Sequence, residues 1–326
     1  MSFGSRVRAL LVGGVVIMLA TMSVAAAEPD AAITCNDVVT DNHAFYSGPR
    51  ASDVYDKHFS ASHQVPELGT HVPQGMARWS KWNGSDDLLL VSSYAPDGGR
   101  AHLIGIDAKT GAHVGSAAID ASHVGGVAVF ERQGWAFVQG DKANTVRRYA
   151  LDRLRQAIAN STYLTEDGDA QPVSGGASFL AAEEPGDTLW TGKFLEDSRG
   201  QMFSYRVADN GALTQTGGPW QVPKKTQGLM VTKDLFVYST SYGRPNRSNL
   251  YVVKRDANAA DLDKARLYCL RAPSMSEGLA LYDGHVYVVY ESGAAYYRKD
   301  PKNKPRNIIE HLHRAPVAAL ADLLTN

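Results

Sequence analysis

SMSEGLALYDGHVYVVYESGA, residues 274–294, holds two short strands and the turn that joins them. Gly278–Tyr282 alternates apolar and small residues, and His285–Tyr290 is β-branched and aromatic. Asp283-Gly284 between them is a strong short hairpin signal, because a tight two-residue turn needs residues that tolerate positive φ. Glu277-Gly278 opens this hairpin and Glu291 closes it.

The same glycine-led apolar strand recurs along the chain. It reads HVPQGMARW at Gly75, SHVGGVAVF at Gly126, VSGGASFLA at Gly176, KTQGLMVT at Gly228 and MSEGLALY at Gly278, with gaps of 51, 50, 52 and 50 residues. So even a period marks a repeat architecture. Second strands follow at Leu88–Ser92, Trp135–Val138, Thr188–Thr191, Leu235–Ser239 and His285–Tyr290. Third strands are expected at Leu103–Asp107, Val146–Leu151, Met202–Val207, Leu250–Lys254 and Ala295–Arg298, and fourth strands at His113–Ile119, Leu213–Thr216 and Leu267–Leu270. Short antiparallel strands in fours predict an all-β chain, a β-propeller with one four-stranded blade per repeat. Five blades are expected, with a sixth assembled from both termini as the alternative. Leu151–Ile158 predicts a short helix, and Pro316–Leu324 a helix or a last closing strand.

The ends carry different signals. Residues 1–27 have the pattern of a secretory signal: Arg6 and Arg8, an apolar run from Ala9 to Val24, then Ala25-Ala26-Ala27 before Glu28. Residues 28–70 match the repeat poorly and are expected to close the propeller formed by residues 71–326. Removing the two signal arginines takes the formal charge from −1 to −3, which offers no electrostatic footprint for nucleic acid or an anionic membrane. A secreted or periplasmic monomer, free of the membrane after cleavage, is therefore expected. In an oxidising compartment the two cysteines, Cys35 and Cys269, are expected to form one disulfide.

Residues just before each inner strand and just after each second strand should meet at one end of the axis. This gathers His71, Gln74, His123, Lys225, Gln227 and Glu277 from the first set, and Tyr94, Asp141, Lys193, Tyr242, Arg244 and Glu291 from the second. A concave mouth with a few converging polar groups is the default ligand site of such a fold. His71, Gln74, His123, Lys193, Gln227, Tyr242 and Arg244 are the expected ligand-binding set. Glu277 and Glu291 flank one hairpin and form the candidate pair for acid–base work or cation binding, with Asp141 as a third candidate acid. His311-Leu-His313 is a weaker metal candidate. No Gly-x-Ser-x-Gly elbow, His-Glu-x-x-His or phosphate-cradling glycine loop occurs in the chain.

The polar-Gly inner strand and the hairpin DGHVYVVYESGA resemble those of secreted β-propellers of the gluconolactonase-like and strictosidine-synthase-like kind, and most of all uncharacterised exported bacterial propeller proteins. The resemblance covers residues 70–300. It implies a divalent cation, calcium or another, held on the axis by a ring of acid, Asn and Asp residues. Glu277 and Asp141 match its acidic members, and its Asn members are missing at the corresponding strand ends. Two classes of function follow. One is a propeller that binds a small molecule, glycan or protein partner at its axial face. The other is an enzyme, either a metal-assisted lactonase or esterase or a glycan-active enzyme using axial carboxylates.

Overall fold

The computed structural model describes Met1 and residues 33–325 except 42, 44, 46, 47, 184 and 185. The expected secretory signal at 1–27 thus lies, Met1 apart, outside the described residues.

The described strands form three four-stranded antiparallel sheets and one eight-stranded sheet. The larger sheet is two such units in series, joined by a single parallel pair, Glu183 with Val231. Each four-stranded unit is a blade, so the described residues build a β-propeller of five blades. Their inner strands are Val72–Trp79, Val127–Phe130, Phe179–Glu183, Thr226–Val231 and Ser276–Tyr282. Each inner strand packs against the next, and the fifth against the first. A blade cannot cover its own two faces, so its strands are buried by neighbours on both sides. Leu88, Leu89, Leu90 and Val91 accordingly form a continuous, fully buried run rather than an alternating one. Apolar side chains including Met76, Val127, Leu229 and Leu279 fill the axis and leave only about 30 Å³ between them.

The hairpin of the fifth blade pairs from Tyr282↔His285 to Ser276↔Tyr290. Asp283 and Gly284 both lie in the left-handed region, at φ 47° and 69°, as the tight hairpin turn requires. Gly278 is needed for another reason. A Cβ there would stand 2.4 Å from the Met76 nitrogen and 2.7 Å from the Gln74 oxygen, both on the inner strand of the first blade. Gly75, Gly126 and Gly228 make equivalent close approaches to the next blade. The third blade departs from the repeat. The backbone facing Gly126 is that of Phe179 and Leu180, while Gly176 lies in a left-handed turn before the strand, at φ 103°.

One strand expectation near the C-terminus is corrected. Ala295–Arg298 is a one-turn helix following the short helical turn Glu291–Gly293, and the third strand of the fifth blade is His311–Pro316. The chain leaves the hairpin into a connection tied to the first blade's approach, where the Ala295 nitrogen donates to the Leu68 carbonyl at 2.7 Å. Pro316 then ends the strand and Val317–Asp322 forms a helix. The predicted helix at Leu151 runs to Asn160 and buries Leu151, Leu154, Ala157 and Ile158, one apolar stripe at helical spacing.

The outer strand of the fifth blade comes from the other end of the chain: Ser60–Gln64 pairs antiparallel with His311–Pro316. This covers an edge that would otherwise expose unpaired backbone groups. Upstream, Cys35 is joined to Cys269 on the outer strand of the fourth blade, Leu267–Ala272. Ser52 then caps the helix Asp53–His58, accepting from the Tyr55 nitrogen at 3.3 Å. Tyr55 from that helix enters the fifth blade, where its hydroxyl meets that of Tyr290 at 2.7 Å and His313 Nδ1 at 2.5 Å.

Candidate functional site

The starts of the inner strands and the ends of the second strands converge on one end of the axis. They enclose a cavity of about 330 Å³ lined by Gln74, His123, Gly125, Gln139, Ser178, Phe194, Gln227, Tyr242 and Glu291. Its floor is the best-defined part. Glu291 is 8% exposed, Gln74 and Glu277 1% each. Gln74 Nε2 donates to Glu291 Oε1 at 2.6 Å and to the Pro73 carbonyl at 2.9 Å. Both bonds use the same amide nitrogen, which aims it at the carboxyl of the neighbouring blade.

Glu277 faces Glu291 at hydrogen-bonding contact. Burial, then the Glu291 charge, pushes the Glu277 carboxyl well above the usual carboxylate range. Burial also raises Glu291, but hydrogen bonds from Gln74 and Tyr297 and the nearby His123 oppose it. Both carboxyls thus hold their protons more tightly than free ones, and a proton shared between them favours Glu277, the more strongly raised of the two. Glu277 Oε1 is buried without a hydrogen-bond partner, leaving an acceptor site that water or a ligand donor would satisfy.

Two tyrosines wall the carboxyl pair. The Tyr94 and Tyr297 hydroxyls meet at 2.8 Å, and the Tyr94 ring lies 4.9 Å from His123. Burial, with Glu291 next, raises Tyr94 to about 12 and Tyr297 further, so both remain phenols, and Tyr297 donates to Glu291. At the rim the Phe194 and Tyr242 rings lie 5.8 Å apart, and Lys225 Nζ sits 5.3 Å from the centre of the Tyr242 ring. Planar amides, aromatic faces and a buried carboxyl pair together form a site for a small molecule rich in hydrogen-bonding groups.

Of the residues picked from sequence, Gln74, His123, Gln227, Tyr242 and Glu291 line the cavity. Glu277 and Tyr94 stand beside Glu291, and Lys225 stands against Tyr242. The remaining four lie elsewhere. Asp141 is exposed in the turn after Trp135–Gln139, and Gln139 takes the lining position of that blade. Lys193 is exposed beside Gly176. Arg244 is clamped by Asp300 at 2.7 Å and packs on the Tyr297 ring at 4.5 Å, serving as a brace behind Tyr297. His71 turns away from the axis and stacks on His102 with ring centres 3.9 Å apart. His313 is buried against Tyr55, with its pKa lowered by burial to about 4, whereas His311 is exposed. Gln139, Ser178, Phe194 and Tyr297 were missed. Gln139 lies two residues before Asp141 and Phe194 one residue after Lys193, so a shorter count past the strand end would have found the first and a longer one the second.

A larger open depression of about 1300 Å³ lies at the opposite end of the inner strands, lined by residues including Arg78, Glu131, Arg155 and Glu183. Its charged groups already serve each other and the scaffold. Arg255 forks onto Glu183 at 2.7 and 2.9 Å, Arg155 meets Asp152 at 2.7 Å, and Glu131 accepts from the Ser80 nitrogen at 2.7 Å. The axial mouth over Glu277 and Glu291 is therefore the stronger candidate.

Among the described residues no helix is long and apolar enough to cross a membrane. No protein-family model and no curated protein matches this chain. Among solved structures it is similar to a chain of the nidogen/laminin complex (TM-score 0.39, 9% identity), covering 68% of this chain and 73% of that one. It is also similar to the β-propeller domain of Cps50 (Swd1) from Myceliophteria thermophila (TM-score 0.37, 10% identity), covering 72% and 66%. Hydrazine synthase from Kuenenia stuttgartiensis is matched at TM-score 0.37 and 12% identity over 70% of this chain, which spans only 59% of that chain.

Proposed function

We propose that this chain is an exported β-propeller that binds a small polar molecule, such as one sugar unit of a glycan, at the axial mouth. The observation that carries this is the buried Glu277–Glu291 pair at the floor of a cavity walled by glutamines and aromatic rings. Sugars present hydroxyls to planar polar side chains and C–H faces to aromatic rings, and this lining offers both. Glu291 is the acid that a ligand hydroxyl or ammonium in the cavity would engage, with Glu277 buried against it. The Cys35–Cys269 disulfide is compatible with an oxidising compartment.

A panel of neutral, amino and acidic sugars tests the proposal by thermal shift and calorimetry. Ligand binding to the native state raises stability once its concentration passes Kd. A saturable shift that Gln227→Ala and Phe194→Ala both remove supports it, and no shift from any panel member overturns it.

Enzymatic use of the carboxyl pair is the second reading, favoured by two buried carboxyls in contact whose surroundings differ. The contact between them is closer than the roughly 5–5.5 Å of a retaining glycosidase pair or the wider gap of an inverting one. Metal-assisted hydrolysis of a lactone or ester, as the gluconolactonase-like resemblance implies, would place a divalent ion where the pair now shares its proton, without Asp141. A calcium-dependent rise in Tm that Glu277→Gln abolishes would favour this reading over a metal-free binding propeller.

A further inference from the structure

A second polar cluster lies away from the axial mouth, where the closing N-terminal strand hands over to the first blade. Glu67 stands in the turn between Ser60–Gln64 and Val72–Trp79, with His71 one helical turn further on. His102 comes from the third strand of the first blade and His113 from its outer strand. Glu67 Oε2 lies 2.6 Å from His102 Nδ1 and 3.6 Å from His71 Nδ1, and Glu67 Oε1 lies 3.8 Å from His113 Nε2. Among the described residues, Glu67, His71 and His102 are the group of potential metal ligands whose donor atoms all lie within 4.8 Å of one another.

We propose that Glu67, His71, His102 and His113 form a binding site for a zinc-like divalent transition metal. Tetrahedral zinc with bonds near 2.1 Å sets its ligand atoms about 3.4 Å apart. The His71 and His113 separations from Glu67 are already close to this, and the hydrogen bonds of His102 to Glu67, of Thr70 to His71 and of His113 to Ser116 have to open. Three imidazoles with one carboxylate select zinc or its neighbours over calcium or magnesium, which prefer oxygen ligands.

The surroundings orient the donors. His71 Nε2 meets the Arg100 carbonyl at 3.3 Å, which places the proton on that nitrogen, and the Thr70 hydroxyl donates to Nδ1 at 3.0 Å. Nδ1, 3.6 Å from Glu67 Oε2, therefore carries the lone pair, which a metal would take over from Thr70, and a carbonyl on the other ring nitrogen is common around metal-bound histidines. Ser116 Oγ donates to Glu67 Oε1 at 2.5 Å and holds the carboxyl in place. An open cavity of about 430 Å³, lined by Glu67 and His113 among others, supplies the way in.

The test is titration of the purified, chelator-treated protein with Zn²⁺ alone, read by competition with a chromophoric chelator and by thermal melting. One equivalent should bind and raise Tm. Changing a group that merely orients a ligand costs roughly 10–100-fold in affinity, so His102→Ala and His113→Ala should each cost at least that much. His113 is 40% exposed on its side chain, so His113→Ala keeps its fold and remains informative if His102→Ala does not. No stoichiometric binding, or an affinity unchanged by His113→Ala, overturns the site.

Discussion

Gln74 and Glu291 belong to the first and last blades, 217 residues apart, yet the Gln74 amide donates to the Glu291 carboxylate at 2.6 Å in a buried site. The bond spans the seam at which the ring closes. It opposes the rise that burial imposes on Glu291 and so biases the shared proton toward Glu277.

The protonated Glu277 gives stability a distinct pH dependence. Its folded pKa lies above the unfolded value near 4.5, so its contribution is complete below that pH and is lost as pH rises through the folded pKa. Glu277→Gln should melt at or near the wild-type temperature at pH 4.5 and above it at pH 8, by roughly 2–4 °C per kcal/mol recovered. His313 acts with the opposite sign. Its folded pKa of about 4 lies below its ordinary 6.5, so its contribution is present above pH 6.5 and is lost as pH falls through 4. Melts of wild type and Glu277→Gln across pH 4–9 check this, and parallel curves would count against the shared proton.

Gly278→Val should prevent folding or cost more than about 4 kcal/mol. Its Cβ would collide with backbone atoms of Gln74, Gly75 and Met76, none of which can move without opening the ring. Soluble yield and chemical denaturation read this out, and a wild-type midpoint would mean that the blades are not in this register.

Cys35→Ser should lower stability by about 2–4 kcal/mol in an oxidised sample and bring it level with reduced wild type. The bond ties the N-terminal segment to the outer strand of the fourth blade. Urea denaturation with and without reductant checks it.

The period of about fifty residues was legible because each blade repeats one close contact, the glycine that lets adjacent inner strands meet. It misled only where that contact is made differently. In the third blade Phe179 takes the glycine's place and folds its ring over Gly192 of the next strand, while Gly175-Gly176 sits in the preceding turn. Ala295–Arg298 looked like a strand because Ala-Tyr-Tyr-Arg is aromatic and β-prone, but its place in a connection decided otherwise.

The axial site was legible in outline, since strand direction alone brings Gln74, Gln227, Glu277 and Glu291 to one end. Side-chain direction was not legible. His71 and Asp141 occupy expected backbone positions and turn elsewhere, His71 because Glu67 and His102 offer it partners. The Glu67–His113 cluster spans a turn and two strands, and only the Glu67-x-x-x-His71 spacing hinted at it.

The outer strand of the fifth blade, Ser60–Gln64, pairs with His311–Pro316, so the first strand made is completed by the last. During synthesis Ser60–Gln64 has no native partner until Pro316 has emerged, and four blades can be present before the circle can close. Closure of so long a loop is entropically costly and slow. The late step in folding is therefore the meeting of the chain's two ends, and until it happens the first and fifth blades each carry an open flank to which another copy of the chain could pair.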